Sequence, residues 1–279
     1  MNSKRLLFFD LDGTLNISGQ RIRDDIVAAL IKVQHDGHGI FISTGRLQSS
    51  IPDSTRSIPF NGGIYSAGRH LVADGKTIMD CYMDSIILEE LEKRLSTFHI
   101  KQSIETNNGV YIDEYDKQWG ITYDDWQRLT SVIGGKNQHK IEEYEYNCTY
   151  KIVFVINNPY DVNAINEAVN EINRKYSCSL ETVIFGQMIP NIPLLIGEIS
   201  DGSVNKGTGL LNICEYYGVD PNCTIAFGDS MNDASIIKQA GIGIAMSNSD
   251  KSLLSIADLV CGSVGADGII SGLRKLELI

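Results

Sequence analysis

The sequence predicts an α/β protein, a doubly wound parallel sheet with helices on both faces, interrupted by an inserted α/β domain. Three observations predict it. Short apolar runs near both ends of the chain stop at acidic residues or glycine, apolar residues recur at helical spacing between those runs, and a long middle stretch follows a different rhythm.

Taken in order, RLLFFDLDGT at the start reads as a buried parallel strand ending near Asp10 and followed by a turn. Ile22, Ile26, Leu30 and Val33 mark a helix, and GIFIS marks a second buried strand that stops at TGR. The alternation returns late. KGTGLLNICEYYG reads as helix, CTIAFGD as strand, MNDASIIKQAG as helix, GIGIAM as strand, KSLLSIA as helix, DLVCG as strand and GIISGLRKLEL as helix. In the middle, Ile87, Leu91, Leu95 and Phe98 mark one helix, and Val162, Ile165, Val169, Ile172 and Tyr176 another, beside strand-like GVYIDEY and KIVFVI. The inserted domain is therefore placed at residues 84–190, with hinges near Asp84 and near MIPNIP, and the core at residues 1–83 and 191–279.

At 279 residues the chain is long for one domain, and 43% hydrophobic with 21% charged residues describes a globular protein. A formal charge of -11 without any Lys/Arg-rich run repels polyanions, so nucleic acid is not an expected partner. Acidity does not exclude phosphate chemistry, because one metal ion and a few donors can reverse the field inside a cleft. The apolar run Leu6 to Phe9 is too short for a signal-peptide core or a membrane span, which points to the cytoplasm and to no membrane partner. The six cysteines are scattered without C-x-x-C pairs and read as reduced thiols. A monomer or weak homodimer is expected.

Four segments could carry chemistry. Asp10 and Asp12 flank one residue at a strand end, where a carboxylate can attack phosphorus if a divalent cation offsets charge repulsion. Gly13 would let the chain turn there, and Thr14 could bond nearby backbone; two acids capping a turn are the plainer reading. In STGR, the Thr44 hydroxyl and the Gly45 N–H are suitable phosphate donors, followed by the Arg46 guanidinium; an ordinary helix cap would look the same. Lys206 precedes a helical pattern, where a cation is disfavoured unless an anion lies close. Asp229 ends a strand and Asn232 and Asp233 follow at a helix start, an oxygen-rich set suited to Mg²⁺ or, more plainly, to capping. A doubly wound sheet would bring all four to one edge.

DLDGT, STGR, NKGTG and GDSMND, in this order, resemble the four motifs of the haloacid dehalogenase superfamily. FNGG, GIGIAMSNS and the long insert resemble its Cof-type phosphatase subfamily. The resemblance implies a Rossmann-like core, Mg²⁺ dependence and an α/β cap that closes over sugar phosphates or related metabolites. By position it implies Asp10 as nucleophile and Asp12 as general acid/base. Mg²⁺ would be held by the Asp10 side chain, the Asp12 main-chain carbonyl and Asp229, supported by Asp233. Leu11, Thr44, Gly45, Arg46, Lys206 and Asn232 would contact phosphate or substrate, and Asn61 would lie near the substrate.

The expected activity is hydrolysis of a small phosphomonoester through an aspartyl phosphate. A phosphomutase on the same scaffold, or a phosphometabolite sensor, would keep the same motifs. Asn107, Tyr111, Trp119, Trp126 and Gln187 are the residues of the insert from which substrate contacts could come.

Overall fold

A computed structural model describes residues 4–17, 20–119, 121–134, 137–186 and 194–279. The chain forms two compact units, Met1–Asp80 with Val204–Ile279, and Cys81–Ser203. In chain order the first unit opens with β1 (Leu6–Phe9), α1 (Asp24–His35), β2 (Gly39–Ser43), β3 (Gly62–Tyr65), β4 (His70–Ala73) and β5 (Lys76–Asp80). The inserted unit follows with α2 (Ser85–Leu95), β6 (Ile100–Thr106), β7 (Gly109–Ile112), α3 (Tyr123–Gly134), β8 (Gln138–Lys140), β9 (Thr149–Ile156), α4 (Asp161–Tyr176), β10 (Leu180–Gly186) and β11 (Leu195–Asp201). The chain then returns through α5 (Lys206–Tyr217), β12 (Thr224–Gly228), α6 (Ala234–Gln239), β13 (Ile242–Met246), α7 (Lys251–Leu254), β14 (Leu259–Cys261) and α8 (Gly268–Lys275).

The first unit holds a sheet in the order β14-β13-β12-β1-β2-β3-β4-β5. Strands β14 to β3 run parallel, while β4 and β5 pair antiparallel at one edge. Strand β1 is buried on both faces because successive side chains point to opposite sides. Leu7 and Phe9 join the core beneath α1 and α8, whereas Leu6 and Phe8 join the core beneath α5, α6 and α7. Helix α1 buries Ile26, Ala29, Leu30 and Val33, close to the stripe the sequence predicts. Helix α5 starts in a reciprocal cap: Asn205 accepts from the Gly207 and Thr208 backbone N–H groups, and its own backbone N–H donates to Thr208 Oγ1. It stops at Gly218, whose φ of 61° places it in the left-handed region. Strands β3 to β5 have no counterpart in the sequence reading, being short and separated by tight turns.

The inserted unit carries a sheet in the order β10-β11-β9-β6-β7-β8. One face, with Ile104, Ile152, Phe154 and Ile199, packs on Leu88 and Leu91 of α2 and on Ile165, Val169 and Ile172 of α4. The other face carries charge. Glu105 stands opposite Lys151, and Lys151 opposite Ser200, while Val153 lies between Ser103 and Glu198. Lys151 Nζ is 2.8 Å from Glu198 and 3.5 Å from Glu105, and all three side chains are nearly sealed from water.

Strand β11 pairs with β9 and β10, so residues 195–203 belong to the inserted unit and the chain returns at Val204 rather than at residue 191. Its LIGEIS run is as apolar as a core strand, and an apolar run does not state which sheet it will join. The expected MIPNIP hinge and Gln187 lie outside the described residues. Trp119, stacked on His99, and Trp126 are both core, and Tyr111 packs on the helix side of the sheet. Among the described residues all six cysteines are free thiols, and no helix is long and apolar enough to cross a membrane.

Candidate active site

Parallel register decides which residues meet. Phe9 of β1 stands beside Phe227 of β12 and Ile42 of β2, so Asp10, Gly228 and Ser43 leave their strands in the same row at the C-terminal edge of the sheet. Open sheets of this class place ligands there.

Beyond Asp10 the chain stops being a strand and turns at Gly13, whose φ is 93°. Glycine is required at this point twice over. A side chain there would adopt a disfavoured backbone, and its Cβ would stand 2.2 Å from Asp229 Oδ2. Thr14, expected to bond backbone, instead donates from Oγ1 to Asp229 Oδ1 at 2.9 Å. Its functional contact was hidden because the partner lies 215 positions away in the chain.

Lys206, the first residue of α5, is the hub. Its Nζ donates to Asp10 Oδ1 at 2.7 Å, Asp233 Oδ1 at 2.5 Å and Asn232 Oδ1 at 3.2 Å, and its side chain is fully buried. A buried ammonium at a helix N-terminus needs anions, and Asp10 and Asp233 supply them. Asp233 is fully committed: its Oδ2 also accepts from the backbone N–H groups of Asp229 and Ser230. Ser230 and Asp233 form a reciprocal cap on the short 3₁₀ turn Met231–Asp233, so the capping reading of this segment holds as well. Among the described residues no hydrogen bond reaches Asp10 Oδ2 or Asp229 Oδ2.

Burial governs the electrostatics. It raises the Asp10 carboxyl well above the usual range, with Asp233 adding repulsion and Lys206 opposing both. Burial, then Asp233, pushes Asp229 up to about 6, against the Thr14 hydrogen bond and the charge of Lys206. For Lys206 burial alone would depress the ammonium, but Asp10 and Asp233 outweigh it and raise its pKa. The cluster thus holds three carboxylates against one cation. One carboxylate oxygen each from Asp10, Asp229 and Asp233 lie within 4.8 Å of one another, and a compact all-oxygen set short of positive charge fits a hard divalent cation such as Mg²⁺.

The remaining expected site residues divide. Thr44 is buried beside the strand end, its Oγ1 accepting from the Arg46 backbone N–H at 3.1 Å. Leu11 is buried in the core and its carbonyl accepts from Leu15 and Asn16, which shapes the turn. Arg46 does not join the Lys206 cluster: it pairs with Asp12. Asn61 is displaced from the edge altogether. Its Oδ1 accepts from the Ile40 backbone N–H at 2.9 Å, at the start of β2, and parallel strands put that end opposite Ser43 and Thr44. An asparagine just before a strand carries no sign of which sheet edge it will occupy.

A model of the haloacid dehalogenase-like hydrolase family matches residues 7–273. The chain is 26% identical over 274 residues to a 5-amino-6-(5-phospho-D-ribitylamino)uracil phosphatase of Bacillus subtilis, covering 98% of this chain and 96% of that protein. A phosphoglycolate phosphatase of Methanopyrus kandleri is 45% identical, but over 73 residues that cover only 32% of its length. Among solved structures, a phosphatase of the haloalkanoate enzyme superfamily from Bacteroides thetaiotaomicron superposes with a TM-score of 0.79 at 22% identity, covering 99% of this chain and 96% of that one. A subclass IIB sugar phosphatase of the same superfamily gives a TM-score of 0.76 at 20% identity, covering 99% and 100%. These two likenesses establish the fold, a Rossmann-like core with an inserted α/β cap.

Proposed function

The chain belongs to the haloacid dehalogenase-like hydrolase family and is a phosphoric monoester hydrolase; from that premise we propose that it cleaves a phosphomonoester of a small polyhydroxylated metabolite, a sugar phosphate or close relative, through a phosphoryl group carried on Asp10. The observation that most supports this reading is the environment of Asp10, a buried carboxylate at a sheet edge, gripped on Oδ1 by Lys206 and facing Asp229. The substrate class follows the Bacillus relative, which acts on a phosphate borne by a ribityl chain. The protein would act in the cytoplasm, as a monomer or weak homodimer.

In the first step an Asp10 oxygen bonds to phosphorus as the bond to the leaving oxygen breaks, and Asp12 gives that oxygen its proton. In the second, water attacks the phosphorus of the aspartyl phosphate and returns a proton to Asp12, freeing Asp10. Lys206 stays charged beside Asp10 and, with Thr44, Gly45 and Asn232, offers contacts to phosphate oxygens. Mg²⁺, held by Asp10, Asp229 and the Asp12 carbonyl with Asp233 behind them, would neutralise charge between the carboxylates and the incoming phosphate.

The test is phosphate release across a panel of phosphorylated sugars, polyols and an aryl phosphate, with acid-quenched protein assayed for bound phosphate. Asp10→Asn should carry no phosphate and show no turnover. Phosphoprotein on that variant would overturn the role of Asp10, and isomerisation without release would favour a phosphomutase.

A further inference from the structure

Arg46 follows the loop at the end of β2, and its guanidinium meets Asp12 edge to edge. Nε donates to Asp12 Oδ2 at 2.6 Å and Nη2 donates to Oδ1 at 2.9 Å, each side chain about one-third exposed. Such a two-point pair fixes the plane of a carboxylate as well as its distance, which a lysine cannot do. It also spans 34 positions, joining the turn after β1 to the loop after β2.

Arg46 is itself held from behind. Its backbone N–H donates to Thr44 Oγ1, and its carbonyl accepts from the Ser66 N–H at 2.9 Å, while the Ala67 N–H donates to the Thr44 carbonyl at 3.0 Å. Ser66 and Ala67 lie at φ of 47° and 54°, and Gly68 at 109°, three successive residues in the left-handed region. Non-glycine residues are disfavoured there and persist where surrounding contacts over-determine them. The turn is closely packed: a Cβ on Gly68 would come within 2.3 Å of the carbonyl oxygen of Asn205, the cap residue of the helix that begins with Lys206. One strained turn therefore braces both the loop that aims Arg46 and the helix that delivers Lys206.

We propose that Arg46 is a positioning residue of the reaction, holding the Asp12 carboxyl at the angle from which it serves the leaving-group oxygen and the attacking water. This rests on the hydrolase reading above and deepens it. Arg46 then acts through Asp12 and not by gripping phosphate, which separates it from Lys206, Thr44 and Asn232.

The experiment is a double-mutant cycle in the Mg²⁺-loaded enzyme, with kcat and KM measured on one alkyl phosphate for Arg46→Met, Arg46→Lys, Asp12→Asn and the two double variants. General acid–base catalysis contributes about 10²–10⁴-fold, and an unaimed Asp12 should forfeit part of it, so Arg46→Met should lower kcat by about 10–100-fold with KM nearly unchanged. Arg46→Lys, with the charge but not the fork, should fall nearly as far. In the Asp12→Asn background neither change should cost more than about threefold further, because residues acting as a unit are not additive. Losses that multiply on Asp12→Asn, or a raised KM with kcat kept, would overturn the proposal while leaving the hydrolase reading intact. A wild-type chain inactive on every phosphomonoester would overturn both.

Discussion

The ammonium of Lys206 lies 2.7 Å from Oδ1 of Asp10, in an ion pair that joins residues 196 positions apart and is almost wholly shielded from water. Lys206 also offsets Asp233, so the site tolerates buried carboxylates only while that cation is present. Lys206→Met should leave both carboxylates uncompensated. Breaking a buried pair from one side costs about 3–5 kcal/mol, so the metal-free variant should unfold in urea with stability reduced by that order, and turnover should vanish. A variant as stable as wild type would show that the pair contributes nothing to the fold.

Protons and cations should compete at Asp229. A carboxyl raised to about 6 penalises the folded state when ionised. That penalty is fully present above about pH 6 and fades as pH falls toward the ordinary carboxylate value, so this group makes the metal-free protein more stable at pH 5 than at pH 7. Mg²⁺ should relieve the same penalty. The thermal shift on adding Mg²⁺ is therefore expected to be large at pH 7.5 and small at pH 5, and a shift independent of pH would exclude Asp229 as the group responsible.

Gly13 and Gly218 share a positive φ but not a neighbourhood, since nothing lies within 4 Å of a Cβ built on Gly218. Gly218→Ala should cost only backbone strain, roughly 1 kcal/mol, and keep activity. Gly13→Ala should displace the Asp229 carboxylate and abolish both turnover and the Mg²⁺ thermal shift. Equal behaviour of the two variants in kinetics and melting would refute the contact.

Lys151 sits between Glu198 and Glu105 on the charged face of the inserted sheet. Lys151→Met strands two buried carboxylates and should destabilise this unit by about 3–5 kcal/mol, read as earlier unfolding in denaturant. Simultaneous Glu105→Gln and Glu198→Gln substitutions should recover much of the loss. If the triple variant is no better than the single one, charge is not the cause.

The alternation of apolar runs made the sheet legible, because buried parallel strands and one-faced helices each leave a periodic trace, and that trace put Asp10 and Asp229 at strand ends. Contacts across the sheet leave none. That Thr14 turns to Asp229, or that Arg46 faces Asp12 and not the Lys206 cluster, depends on side-chain direction in loops without a period. Asn61 fell at the wrong edge for a related reason: a residue before a strand and one after it look alike until the strand's direction is known. The boundary at Val204 needed the partner of β11, which is a property of the sheet and not of the run itself.

Strand β1 lies between β2 and β12, and Leu6 to Phe9 pair with Thr224 to Phe227. During synthesis one flank of β1 therefore stays unpaired until more than two hundred further residues have left the ribosome, after the inserted unit already has all its strands. Such distant pairing makes folding slow and leaves an open apolar edge in the nascent chain. It also means that Asp10, made among the first residues, has neither Lys206 nor Asp229 beside it until those late segments are made, so a chain that ends before Lys206 lacks the charged cluster altogether.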